Sequence, residues 1–170
     1  MKLSNFGALV CTIGLITACA PQPAPTPAAP DAVAIRAALN AQIAKFLPLM
    51  QTKDAPGIAA LFTEDAKWIL PDASTFTGRA AIEAGAKAFF GAYESIVPGT
   101  AGIDHLVVIN DNEAMSFAHG TYRITMKGKK AENHVNPFAD YWKKGADGVW
   151  RIAYEVNAEG VVPDASAKKP

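Results

Sequence analysis

Cysteine is scarce. The 170 residues hold two, Cys11 and Cys19, so no thiol beyond residue 19 is left for a disulfide, a Cys-ligated metal or a nucleophile. An excess of one charge is also missing: 16 Lys and Arg balance 16 Asp and Glu. That excludes the basic surplus needed to neutralise a phosphate backbone, and with it nucleic acid as a partner. The amino-terminal apolar run, Phe6 to Ala18, has thirteen residues, against about 20 for a membrane-spanning helix. There is no Gly-rich phosphate loop and no G-x-S-x-G elbow. The histidines His105, His119 and His134 stand fourteen and fifteen apart, without the short spacings that place two metal ligands on one side of an element. No metal and no cofactor is therefore expected. Half the residues are hydrophobic and no heptad or charge block persists, which excludes a coiled coil and a disordered chain and leaves one globular domain.

Met1-Lys2 followed by Phe6–Ala18 has the form of a signal peptide. Its end, Ile16-Thr17-Ala18-Cys19, resembles the lipobox of bacterial lipoproteins, which implies lipidation of Cys19 and, with Ala20 next, the outer membrane. The alternative is a plain signal peptide with Cys19 incidental. Ala20 to Pro30 carries five prolines in eleven residues and no charge, an extended spacer. The expected organisation is thus a signal peptide over 1–18, an anchor and tether over 19–30, a folded domain over 31–160 and a flexible tail over 161–170.

Within the domain, Asp31 can cap a helix whose apolar positions Ile35, Leu39, Ile43, Phe46 and Met50 share one stripe, with Pro48 loosening its last turn. Asp54 caps a second helix, Ala55 to Phe62. Ala66 to Leu70 reads as a strand, Pro71 to Ser74 as a turn, and Arg79 to Glu94 as a third helix. Four β-rich runs follow: Ile103 to Asn110, Ala114 to Met126, His134 to Lys143 and Val149 to Asn157. Helices first and an antiparallel meander afterwards predict an α+β fold.

The strings Gly57-Ile58-Ala59-Ala60-Leu61-Phe62-Thr63-Glu64-Asp65-Ala66, Gly78-Arg79-Ala80-Ala81-Ile82, Asp140-Tyr141-Trp142 and Asp147-Gly148-Val149-Trp150-Arg151-Ile152 resemble the SnoaL-like and ketosteroid-isomerase-like branch of the nuclear transport factor 2 superfamily. The resemblance covers Asp31 to about Asn157. It implies three helices packed in a strongly curved sheet, a cone with one pocket, and it favours a homodimer. It does not imply one activity, because the superfamily includes isomerases, dehydratases, dehalogenases and binding domains. In steroid isomerases a carboxylate base works with a tyrosine and a protonated carboxylic acid. The corresponding positions here fall at Leu70, Phe46 and Asp140, so only the acid is retained.

Strand alternation places Met115, Phe117, His119, Thr121 and Arg123 on one face of their strand. If that face lines the cone, His119 meets Asp140 across adjacent strands, and the carboxylate orients a basic imidazole. Arg151, Ala153, Glu155 and Asn157 share a face of the last strand. Pocket-lining expectations are Phe46, Leu70, Phe89, Met115, Phe117, Thr121, Trp142, Glu155 and Asn157, whereas Trp68, Trp150, Ile152 and Tyr154 are read as structural. Asp72 reads as a turn residue. The alternative to a His119–Asp140 pair is that Asp140, Glu155, Arg123 and Arg151 form paired charges at the mouth, with His119 a wall residue.

Three functions follow. One is an envelope lipoprotein, anchored by lipid at the periplasmic face, that binds a small apolar or amphipathic molecule. Another is a cofactor-free proton-shuttling isomerase, lyase or cyclase using His119 and Asp140. The last is a dimerisation or protein-interaction module.

Overall fold

The structure is a computed structural model that describes residues 29–158 and 160–161. The signal peptide, Cys19, most of the tether and residues 162–170 lie outside the described residues. Helix α1 (Ala32–Thr52) starts where Asp31 accepts hydrogen bonds from the Val33 and Ala34 amides at 3.0 Å each. Its stripe buries Ile35, Leu39, Ile43 and Met50. The helix continues four residues past Pro48 and stops at Lys53, in the left-handed region at φ 57°. Lys53 Nζ donates to the Phe90 and Tyr93 carbonyls at 3.2 and 2.9 Å, tying this helix end to the third helix.

Asp54 caps α2 (Ala55–Ala60), which ends earlier than the sequence pattern suggests. The Leu61 carbonyl accepts from the Ile152 amide at 2.9 Å, so the chain passes directly into β1 (Phe62–Ile69). A turn closed by Asp72, whose Oδ1 accepts from the Ser74 amide and hydroxyl at 2.9 and 2.6 Å, leads to the short β2 (Thr75–Thr77). Gly78, at φ 83°, sets the angle from which α3 (Arg79–Ala92) leaves. The remaining strands are β3 (Tyr93–Asn110), β4 (Glu113–Met126), β5 (Ala131–Lys144), β6 (Trp150–Asn157) and β7 (Gly160–Val161).

β3 begins ten residues before the expected strand at Ile103. Pro and Gly ordinarily weaken a strand, yet β3 runs through Pro98, Gly99 and Gly102, for it is the last strand in the sheet order and its pairing to β4 shifts register between Pro98 and Ala101. An edge strand needs no amide from proline on its open side, and a bulge absorbs the rest.

Among the described residues the sheet order is β2-β1-β6-β5-β4-β3, with β7 added to β5. All pairings are antiparallel except β1 with β6. This is the α+β cone: the helices pack into the hollow of the curved sheet, and Leu39, Ile58, Phe62, Ile82, Tyr93 and Trp142 are fully buried between them.

Two details set which side chains enter the hollow. In β4 the buried positions are Ala114, Ser116, Ala118, Gly120 and Ile124, while Met115, Phe117 and Arg123 are exposed. Small residues occupy the concave face because the helices and the large rings of β5 crowd it. In β6, Trp142 pairs with Ile152 but Tyr141 pairs with Tyr154, so Ala153 is an extra residue. That bulge changes the strand's parity.

Candidate functional site

A cavity of about 330 Å³ lies inside the cone. Phe46 of α1, Phe89 of α3, Trp68 of β1 and Leu70 just after it, Tyr122 of β4, Phe138 and Trp142 of β5 and Ile152 of β6 supply its apolar walls. It reaches the surface beside the exposed Pro71 and Asp72. Rings pack around Trp68, with centroids of Phe46, Phe62 and Phe76 at 6.4, 5.7 and 6.1 Å.

Two buried carboxyl groups interrupt this apolar lining, with the exposed Asp72 at its rim. Asp140 on β5 pairs directly with Glu155 on β6, and the two residues are 1% and 4% exposed. Glu155 Oε1 accepts from Trp68 Nε1 at 3.0 Å and from Asn157 Nδ2 at 2.7 Å, and Asn136 Nδ2 donates to Asn157 Oδ1 at 3.0 Å. Asp140 Oδ2 accepts from Ser116 Oγ at 3.3 Å, and Ser116 Oγ in turn accepts from Trp142 Nε1 at 2.8 Å. Asp140 Oδ1 is buried without a hydrogen-bond partner.

Among the described residues, no Lys, Arg or His lines the cavity. Burial first, and the neighbouring Glu155 second, push the Asp140 carboxyl well above the usual range, with Ser116 opposing weakly. Burial raises Glu155 to about 7 against its two amide and indole donors. Both carboxyls are therefore held above the ordinary carboxylate range, Glu155 close to neutrality. Such a pair can donate a hydrogen bond, accept one, or pass a proton to a bound molecule.

Residues 31–155 match the SnoaL-like domain family. The chain belongs to this family. No curated protein matches it. Its fold is shared by the solved hexachlorocyclohexane dehydrochlorinase LinA-type3 from Novosphingobium barchaimii LL02, at 13% identity over 81% of this chain and 95% of that one, TM-score 0.67. A ketosteroid isomerase-like protein from Erwinia carotovora atroseptica SCRI1043 is similar at 17% identity over 73% and 95%, TM-score 0.64. A nuclear transport factor 2-like protein from Salmonella enterica serovar Typhimurium LT2 is similar at 14% identity over 82% and 100%, TM-score 0.65.

In this SnoaL-like domain the expected residues separate into two groups. Phe46, Leu70, Phe89, Asp140, Trp142, Glu155 and Asn157 line the cavity. His119, Met115, Phe117 and Thr121 do not. His119 pairs in register with Pro137 and its Nδ1 lies 2.8 Å from Asp104 Oδ2, with 44% of the side chain exposed. Thr121 Oγ1 accepts from the Thr100 amide at 2.9 Å, and Met115 and Phe117 are 39% and 46% exposed. The alternation along β4 is as expected but its face is the outer one, so a His119–Asp140 dyad is excluded by geometry.

The paired-charge alternative is corrected as well. Arg151 forks onto Asp147 at 3.1 and 2.8 Å, holding that carboxyl at about 2, and Arg123 is exposed, so neither reaches Asp140 or Glu155. Trp68 and Ile152 line the cavity rather than serving the core alone, whereas Trp150 is buried outside it and Tyr154 is exposed. Trp68 stands two residues before Leu70, the strand repeat within the expected strand Ala66 to Leu70, and that spacing was the available signal. Ser116 lacked one: a lone strand serine acquires meaning only through its register with Asp140. Among the described residues no three His, Cys, Asp or Glu side chains are grouped to hold a metal ion.

Proposed function

We propose that the domain holds a small, mostly apolar or amphipathic molecule inside the cone, its polar end against Asp140 and Glu155. The observation that carries this is a cavity of about 330 Å³ with aromatic walls and one buried polar cluster, the usual form and size of a small-molecule site. Hexachlorocyclohexane, named for the dehydrochlorinase neighbour, is a molecule of that apolar class. The test is fluorescence titration of Trp68 and Trp142 with naphthalene-sized compounds. Saturable quenching in the wild type, weakened by Gly120→Val, is expected; no saturable binding across such a panel contradicts the proposal.

A second reading is cofactor-free proton transfer, supported by the carboxyl of Glu155 near 7 in direct register with Asp140, whose carboxyl burial also pushes up. Glu155 takes the role of base in place of His119, and Asp140 donates to the developing oxyanion. Exchange of carbon-bound hydrogen for deuterium in bound carbonyl compounds, lost in Glu155→Gln and kept in His119→Ala, is the expected signature.

Assembly and location are proposals of the same kind. Val107, Ile109, Met115, Phe117, Tyr154 and Val156 are exposed, an apolar content that suits burial against a second copy of the chain. Sedimentation at increasing concentration is expected to give a dimer that Phe117→Lys dissociates. Anchoring through Cys19 at the periplasmic face of the outer membrane is expected to be lost in Cys19→Ser. A membrane-bound variant would overturn it.

A further inference from the structure

We infer that the molecule this cavity takes is a cation: a protonated amine carried on an apolar body. The inference rests on the cavity-binding proposal above and deepens it.

Its first support is charge. Asp72, Asp140 and Glu155 line the cavity and, among the described residues, no cationic side chain does. Two adjacent buried carboxyls without a countercharge are costly for the protein alone. The second support is hydrogen-bonding capacity. Ser116 reaches only Asp140 Oδ2, at 3.3 Å, and Asp140 Oδ1 is buried without a partner. An ammonium brings three donors and no acceptor, which suits two carboxyl groups. A carbonyl offers only acceptors, so it satisfies a protonated Asp140 and gives Glu155 nothing. An anion meets two carboxyls and no cation. Third, Trp68 and Trp142 bound the same space, and indole rings attract a positive charge.

Binding then has a proton balance. The proton held between Asp140 and Glu155 leaves to solvent as the ammonium enters, so an ammonium replaces a proton and the cavity keeps its net charge.

The experiment uses the purified full chain and three probes of one shape: 2-naphthylmethylamine, 2-naphthalenemethanol and 2-naphthoate, measured by calorimetry at pH 7.5. The amine is expected to bind at least tenfold more tightly than the alcohol and the naphthoate not at all. Repeating the amine titration in buffers of different ionisation enthalpy is expected to show proton release, a readout that needs no variant. Glu155→Gln is expected to lower amine affinity at least tenfold more than it lowers alcohol affinity, and an equal loss for both probes counts against the cation. Equal affinity for amine and alcohol overturns the cation inference and leaves the cavity proposal standing. Failure of both to bind overturns the two together.

Discussion

Asp140 and Glu155 stand opposite one another on neighbouring strands, two carboxyl groups in direct register and almost without solvent contact. The fold tolerates them because the pair retains a proton, and this makes stability depend on pH.

In the unfolded chain both groups ionise near pH 4, whereas in the folded protein Glu155 titrates at about 7 and Asp140 is shifted in the same direction. Between those values the folded state binds more protons than the unfolded one, so stability falls as pH rises from about 4 to 7. Glu155 alone accounts for a loss on the order of 3 kcal/mol. The melting temperature is expected to be higher at pH 5.5 than at pH 8, and Glu155→Gln is expected to flatten the difference. A flat wild-type profile would show that the pair carries no retained proton.

Ser116 joins Trp142 to Asp140. Ser116→Ala strands a buried indole N–H and removes the one donor to Asp140 Oδ2, a loss of about 1–3 kcal/mol. Chemical denaturation should show it, together with a shifted tryptophan emission. Trp142→Phe combined with Ser116→Ala is expected to cost less than the sum of the two, since each breaks the same bond.

His119 and Asp104 form an exposed pair on the outer face. His119→Ala is expected to change stability by less than about 1 kcal/mol and to leave probe affinity in the cavity unchanged. A loss of probe binding would contradict the outward placement of this strand face.

Gly120 lines the cavity, and a Cβ there would meet its nearest neighbours at 3.8 to 4.0 Å, ordinary contact. Gly120→Val is therefore expected to fold, with a melting temperature within a few degrees of the wild type, and to weaken probe binding at least tenfold by filling space. Undiminished affinity would place the ligand elsewhere.

How far the sequence could be read follows from these same residues. The stripe of α1 was legible because Ile35, Leu39, Ile43 and Met50 recur at helical spacing, and Asp31 announces the start. The strands β4, β5 and β6 were legible within a few residues. What period-two alternation cannot supply is its own phase: the faces of β4 differ by one residue, and only the packing of helices against the hollow selects Ala114, Ser116, Ala118 and Gly120 for the inside. Size misled, since Met115 and Phe117 are the larger side chains and stand outside. Glu155 and Asn157 were expected on one strand face with Arg151, and the Ala153 bulge splits that group, leaving Glu155 and Asn157 in the cavity. Asp140 was legible from family resemblance and Glu155 as a pocket residue, but their direct opposition was not, because a cross-strand neighbour is defined by register.

The extra residue at Ala153 has a consequence for descent with modification. Were β6 to pair without the bulge while keeping Ala153, everything beyond it would slip by one, withdrawing Glu155 and Asn157 and presenting Tyr154 and Val156 to the interior. Deleting Ala153 would instead leave Tyr154 opposite Tyr141 and Glu155 opposite Asp140. The chemistry inside the cone is thus written in a residue count as much as in residue identities. A single-codon insertion beyond the bulge would change what the domain accommodates, whereas a deletion at Ala153 would straighten the strand and keep its interior residues in place.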